Sequence, residues 1–345
     1  MQALVLVGGE GTRLRPLTLT RPKPALPLVD RPFIRFMVDW LARHGADEVV
    51  MACGFRAEDL RSALGDEVRG EARIHYVEED EPLGTAGPVR LAADRGLLGE
   101  RFMVLNGDVL TDLDLTALQA THAERGAVAT LALYSVDDPS AYGLVRRASN
   151  DEVLGFLEKP DPDEIDTDEV NAGAYVLERS VVDLIPPDRA VSLEREVFPR
   201  LVGQGLYGRR LDGYWMDIGT PDRYLGASWD ILEGRVETDV ETHRDGVFVD
   251  GDATLADGAD VGPRAVVRAG CEIGAGTAVS ESVLLDGCRV ADRAEVRGAI
   301  LAPGVDVGEG ARVPPGSVIG EGARIAPGAT LGDDARVAPE EVVTG

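Results

Sequence analysis

From residue 1 to about residue 232 the chain alternates short apolar runs with amphipathic segments. Ala3–Val7, Glu48–Cys53, Arg73–Val77, Arg101–Leu105 and Val128–Tyr134 predict strands, and Pro32–His44, Arg56–Leu64, Gly84–Arg95 and Leu115–Arg125 predict the helices between them. This alternation predicts an α/β fold with a mainly parallel sheet and helices on both faces. Ligands on such sheets bind beyond the carboxyl ends of the strands. The loop at Gly8 and the segment Asn106-Gly107-Asp108 both follow strands, so both are expected on that rim.

The texture changes near residue 249. Aliphatic side chains recur every six positions at Leu255, Val261, Val267, Ile273, Val279 and Leu285. After a five-residue step the beat resumes at Val290 and Val296, and an irregular stretch then leads to Val307, Val313, Ile319, Ile325, Leu331 and Val337. Gly, Ala, Asp and Pro fill the gaps. A hexapeptide beat of this kind predicts a parallel β-helix, with the periodic aliphatic inward and small residues at the turns. A disordered Gly/Ala-rich tail would not keep 14 aliphatics so nearly in register. The expected division is 1–233, a linker at 234–248 and the repeats at 249–345.

At 345 residues the chain is long enough for two domains with a real core. No stretch approaches the ~18 apolar residues of a membrane span, and the N-terminus lacks a signal-peptide pattern. Cys53, Cys271 and Cys288 are far apart and odd in number, which argues against a disulfide framework or metal cluster and favours a reducing cytoplasm. There are 61 acidic residues against 35 basic ones, for a net charge of −26. Such a surface repels nucleic acid and anionic membranes. It fits either a compositional bias toward Arg over Lys or adaptation to high salt, the second being favoured. Only Lys23 and Lys159 are lysine, and both fall inside motifs.

The segment Gly8–Pro27, GGEGTRLRPLTLTRPKPALP, carries most of the chemistry. Gly8, Gly9 and Gly11 permit a sharp turn and close backbone approach, so that successive N–H groups, Thr12 included, can hold phosphate oxygens. Arg13, Arg15, Arg21 and Lys23 concentrate positive charge there. Pro16, Pro22, Pro24 and Pro27 stiffen the segment.

This stretch resembles the signature of sugar-1-phosphate nucleotidylyltransferases, and the resemblance extends over essentially the whole chain. It implies a Rossmann-like nucleotidyltransferase domain followed by a left-handed β-helix. It also implies transfer of a nucleotidyl group from an NTP to a hexose 1-phosphate with Mg²⁺ as cofactor. Asp108 and Asp217, the latter in Trp215-Met216-Asp217-Ile218-Gly219-Thr220-Pro221, match the family's metal pair. Mg²⁺ needs only one or two carboxylates besides substrate phosphates. Asp114 reads instead as a helix cap. Arg13 and Lys23 are implied as phosphate ligands. Glu158-Lys159-Pro160 matches a motif in which the lysine binds the sugar phosphate and the glutamate a hydroxyl. Tyr142, Gly143 and Asn171 match positions lining the sugar.

Alignment through Gly84 and Thr85 places Glu79 where family members hold the nucleobase edge. A carboxylate accepts only. It suits guanine N1–H and its exocyclic amine, and repels the carbonyls flanking N3–H of uracil or thymine. Ser192–Pro199, SLEREVFP, reads as a helix N-cap region and resembles a segment typical of mannose-1-phosphate guanylyltransferases. The implied reaction is thus GTP plus mannose 1-phosphate to GDP-mannose. Glucose-1-phosphate thymidylyl- or uridylyltransferase and a non-catalytic sugar-nucleotide-binding subunit are the alternatives. Intact Lys23, Asp108, Lys159 and Asp217 argue against the latter. His44, His75, His122 and His243 all lie outside the repeats, unlike the histidine base of related acetyltransferase β-helices, so the β-helix is expected not to be catalytic. Homo-oligomers through the β-helix are expected.

Overall fold

A computed structural model describes the chain except residues 55, 66, 69–71, 159–164, 188, 242–243 and 345. Internal contacts divide it into two compact units, Met1–Gly9 with Ile34–Trp215, and Glu10–Phe33 with Met216–Gly345. Among the described residues no helix is long and apolar enough to cross a membrane.

The first unit is built on a ten-stranded mixed sheet. Its parallel half runs Arg101–Asn106, Gln2–Leu6, Glu48–Cys53, Ala72–Glu78 in spatial order. The intervening helices match the amphipathic segments: Phe33–Arg43, Ala57–Leu64, Gly87–Asp94 and Leu115–Arg125. Asp114 caps the last of them, accepting from Ala117 N at 3.0 Å, a contact worth about 1 kcal/mol.

The other half is mostly antiparallel; its strand Ala129–Ser135 answers to the predicted run Val128–Tyr134 and pairs in parallel with Leu206–Arg210, while its remaining strands are not among those the apolar runs predict. Glu169–Glu178 pairs with Arg101–Asn106 and with Ala129–Ser135, and Gly143–Arg147 pairs with Val153–Glu158. Leu4, Val50, Phe102, Val104, Tyr175 and Phe198 share the core. Full burial of each such side chain contributes ~1.5–3 kcal/mol.

In the second unit the hexapeptide segment winds into a parallel β-helix of three sheets. Ile273, Val279, Val290, Val296, Val307, Val313, Ile319, Ile325 and Val337 are buried as expected. Leu255 is exposed and Val261 half-buried, because they lie in the first coil and no earlier coil covers them.

The ladder also corrects the phase of the repeat. Leu284, not Leu285, stands opposite Val267, and Leu301 fills the beat that the sequence left irregular. The short steps are therefore Val279 to Leu284 and Val296 to Leu301, each crossing a tight turn with a residue at positive φ, Glu281 at 51° and Gly298 at 55°. Leu285 is nonetheless buried.

One sheet of the β-helix buries both residues of its strands Val283–Leu284, Ile300–Leu301 and Val318–Ile319. On either side of its strand Ala265–Val267, Trp229 Nε1 donates to Arg264 O at 3.0 Å and Arg268 Nη1 donates to Val29 O at 2.7 Å. These bonds fasten the helix Pro221–Leu232 and the Glu10–Phe33 segment to the repeats.

Candidate active site

In the first unit the parallel register sets the strand ends level. Leu6 stands opposite Ala52 and Asn106, and Cys53 opposite Glu78. The ladder continues one residue further: Val7 N donates to Ala52 O, Glu79 N to Cys53 O and Gly107 N to Leu6 O, at 2.9, 2.8 and 2.9 Å. Gly8, Glu79 and Asp108 thereby come together on one rim, beyond the carboxyl ends of the strands.

Glu79 is not a solvent-facing turn residue. It is half-buried, its Oε2 accepts from Leu83 N at 3.0 Å, and burial pushes its carboxyl above the usual range. The loop that follows is held to a distant segment. Ala86 N donates to Val191 O and Val191 N to Leu83 O, both at 2.9 Å. Gly84 has φ +72°, and a Cβ there would stand 2.4 Å from Val191 O, so no other residue fits. Thr85 Oγ1 accepts from Leu193 N at 2.8 Å.

The antiparallel half assembles the sugar-side candidates. Gly143 pairs with Glu158, and Leu144, next to it, pairs with Val170, next to Asn171. Tyr142, Gly143, the Glu158 backbone and Asn171 therefore meet at one end of the sheet. The Glu158 side chain and Lys159 lie outside the described residues. Asn171 Nδ2 donates to the Tyr175 hydroxyl at 2.9 Å and its Oδ1 accepts from Gly173 N at 3.1 Å. The Trp215 ring, missed in the sequence, forms a wall here. Its Nε1 donates to Ala172 O at 2.9 Å, and its ring centroid lies 5.7 Å from that of Tyr134 and 5.5 Å from that of Tyr142.

The second unit carries the cations. Of the three glycines in the loop, Gly11 is the one at positive φ (+62°). A Cβ there would come 3.0 Å from Thr18 Cγ2 and 3.2 Å from Lys23 Cβ. Gly11 thus lets the chain close over the Lys23 stem, and Lys23 is buried in the short helix Lys23–Ala25. Thr12 and Arg13 are exposed in the turn Thr12–Leu14, as is Gly9, which precedes it in the first unit.

Asp217 ends the strand Trp215–Asp217, and its carboxylate is ion-paired with Arg223. Gly219 sits between two charged groups: a Cβ on it would be 2.6 Å from Arg13 Nη2 and 3.1 Å from Asp217 Oδ2. Sequence reading named Arg13 and Asp217 but missed Gly219 and Arg223. Both lie in or just after the quoted Asp217–Pro221 motif, where Thr220 caps the helix Pro221–Leu232.

Asp108, on the rim of the first unit, and Asp217, in the second, each offer the hard oxygens that Mg²⁺ prefers. Among the described residues no group of three or more His, Cys, Asp or Glu side chains is placed to hold a metal. A carboxylate offered singly suits an ion completed by polyphosphate oxygens and water rather than one caged by protein.

Two family profiles cover the chain in succession. Residues 2–234 match the nucleotidyl transferase family and residues 243–345 the GMPPB C-terminal domain. The mannose-1-phosphate guanylyltransferase of Mycobacterium tuberculosis is 41% identical over 301 residues, covering 84% of this chain and 81% of that protein. Mannose-1-phosphate guanylyltransferase 1 of Arabidopsis thaliana is 38% identical over 324 residues, covering 91% and 89%. The mannose-1-phosphate guanyltransferase of Schizosaccharomyces pombe is 44% identical over 232 residues, covering 65% and 62%. The chain therefore belongs to the nucleotidyl transferase family, alongside the mannose-1-phosphate guanylyltransferases.

Proposed function

We propose that this nucleotidyltransferase joins GTP and mannose 1-phosphate to give GDP-mannose and pyrophosphate. The observation that carries the proposal is the likeness to mannose-1-phosphate guanylyltransferases over 84–91% of the chain. Glu79, a half-buried carboxylate on the strand-end rim, supports the choice of base.

In the reaction a phosphate oxygen of the sugar phosphate bonds to the α-phosphorus of GTP in line. The bond from that phosphorus to the β-phosphate oxygen breaks, and its electron pair leaves with pyrophosphate. The nucleophile is already anionic, so no general base is required, and catalysis rests on position and charge. Gly8, Gly9, Gly11 and Thr12 line the polyphosphate with backbone N–H groups. Arg13 neutralises the β- and γ-phosphates, and Lys23, buried on its stem, the α-phosphate. Glu79 accepts from the guanine edge, with Gly84 and Thr85 beneath the base and ribose. Lys159 orients the incoming phosphate, and Tyr142, Gly143, Glu158 and Asn171 receive the sugar. Asp108 and Asp217 hold Mg²⁺, which when bound neutralises charge on the nucleotide oxygens.

The same proposal assigns catalysis to residues 1–233, a linker to 234–248 and scaffolding or oligomer contact to the β-helix at 249–345. The three cysteines are buried and unbridged, which supports a reducing cytoplasm.

The experiment is steady-state pyrophosphate release for GTP, UTP and dTTP, each paired with mannose 1-phosphate and with glucose 1-phosphate. The pair GTP and mannose 1-phosphate should give the highest kcat/KM. Preference for dTTP or UTP with glucose 1-phosphate would transfer the chain to the thymidylyl or uridylyl reaction. Absence of turnover with every pair would leave a regulatory subunit.

A further inference from the structure

Glu194 lies in the single π-helical turn Leu193–Val197, in the segment whose sequence suggests a helix cap and a family likeness but no chemistry. Ser192 does cap that turn, accepting from Arg195 N at 3.2 Å. The Glu194 carboxylate does something else. It accepts three hydroxyl hydrogen bonds: Tyr175 to Oε1 at 3.0 Å, and Thr85 and Ser192 to Oε2 at 2.7 and 2.8 Å.

Each hydroxyl oxygen in turn accepts from a further group. Asn171 Nδ2 donates to the Tyr175 oxygen at 2.9 Å and Leu193 N donates to Thr85 Oγ1 at 2.8 Å. A carboxylate accepts only, so it draws all three hydroxyl hydrogens toward itself. The Tyr175 oxygen is then left to accept from the Asn171 amide, and that fixes which way the amide faces. Gly173 N, donating to Asn171 Oδ1 at 3.1 Å, agrees with the same orientation. The amide keeps one further N–H and one further lone pair for a sugar hydroxyl. Tyr175 is fully buried, and burial together with the Glu194 charge holds its phenol well above the usual range, so it stays a donor.

Resting on the guanylyltransferase reading above, we propose that Glu194 is a positioning residue that sets two substrate-binding groups at once. These are Thr85 on the nucleotide side and, through the Tyr175 hydroxyl, Asn171 on the sugar side. Glu194 itself does not touch either substrate. Its effect is to hold the two groups in the one arrangement in which each of the three hydroxyl hydrogens has an acceptor. An amide in its place cannot do this. Either its NH₂ meets the half-buried Thr85 and Ser192 hydroxyls, or it meets the buried Tyr175, and at least one of these hydroxyl hydrogens loses its acceptor.

The test separates the two arms. Tyr175→Phe keeps the ring packed on Phe198, 4.9 Å between centroids, and deletes the link to Asn171. It should raise KM for mannose 1-phosphate about tenfold and leave KM for GTP within about twofold. Thr85→Val should do the reverse. Glu194→Gln should raise both. A merely structural role would lower the melting temperature and the active fraction while leaving both KM values in place, and that pattern would overturn the proposal. So would a Tyr175→Phe enzyme whose two KM values rise together. Should Glu194→Gln fail to fold, the other two variants decide. Calorimetric titration of GTP and of mannose 1-phosphate, each alone, reads the same two arms without turnover. A wild-type enzyme that binds both and releases no pyrophosphate would then defeat the functional reading while the Glu194 proposal is still judged on the titrations.

Discussion

The carboxylate of Glu79 faces the backbone of Gly8: a Cβ placed on Gly8 would stand 3.0 Å from Glu79 Oε1. The candidate base-reading group and the first residue of the candidate phosphate loop are therefore packed against each other. Glu79→Gln should lower kcat/KM for GTP and improve UTP and dTTP relative to it, since an amide donates to a carbonyl as well as accepting from N3–H. Sites built around a buried polar pair discriminate strongly when the pair is broken. A nucleotide panel on the variant that keeps the wild-type order would remove Glu79 from base selection.

The same residue makes a pH prediction. Burial raises the Glu79 carboxyl in the folded chain. Its contribution to apo stability is therefore present below its unfolded value and lost as pH rises through the raised folded value. Guanine donors require the ionised form. Raising the pH through that window should thus strengthen GTP binding while slightly lowering the apo melting temperature. Glu79→Gln should flatten both slopes, and unchanged slopes in the variant would show that another group titrates.

The sequence made the parallel half of the first unit readable because each strand there is a short apolar run between amphipathic helices. It hid Glu169–Glu178, whose alternation is broken by Asn171-Ala172-Gly173, where the ladder to Ala129–Ser135 shifts register. The hexapeptide beat revealed the β-helix, yet the choice between Leu284 and Leu285 depended on the length of a turn. Among the candidate site residues, those inside motifs stand out in the sequence: Gly8, Gly11, Lys23, Asp108, Asp217. Their supports do not. Tyr175, Glu194, Gly219 and Arg223 owe their places to contacts such as Thr85 with Glu194, 109 positions apart.

Gly84→Ala combines a positive φ with a Cβ 2.4 Å from a carbonyl oxygen. It should cost roughly 2–4 kcal/mol of stability, seen as a lower melting temperature. A variant that melts with the wild type would mean the loop is not held to Val191 in solution.

Asp217→Asn should cut turnover by about 10²-fold or more while folding is retained, because a group neutralising transition-state charge is weakened. Chelation of Mg²⁺ should abolish activity in the wild type. Full activity in excess chelator would remove the metal from the reaction.

With a net charge of −26, self-repulsion should weaken the fold in dilute buffer, and salt should screen it. The melting temperature is expected to climb as KCl is raised toward molar levels. A flat profile would favour compositional bias as the origin of the acidity.

The most direct measurement is a competition. GTP, UTP, dTTP and ATP at equal concentration are offered together with mannose 1-phosphate and Mg²⁺, and the sugar nucleotide formed is identified by mass. GDP-hexose should be the main product, with pyrophosphate in equal amount. A main product carrying uracil, thymine or adenine, or no sugar nucleotide at all, would contradict the assignment.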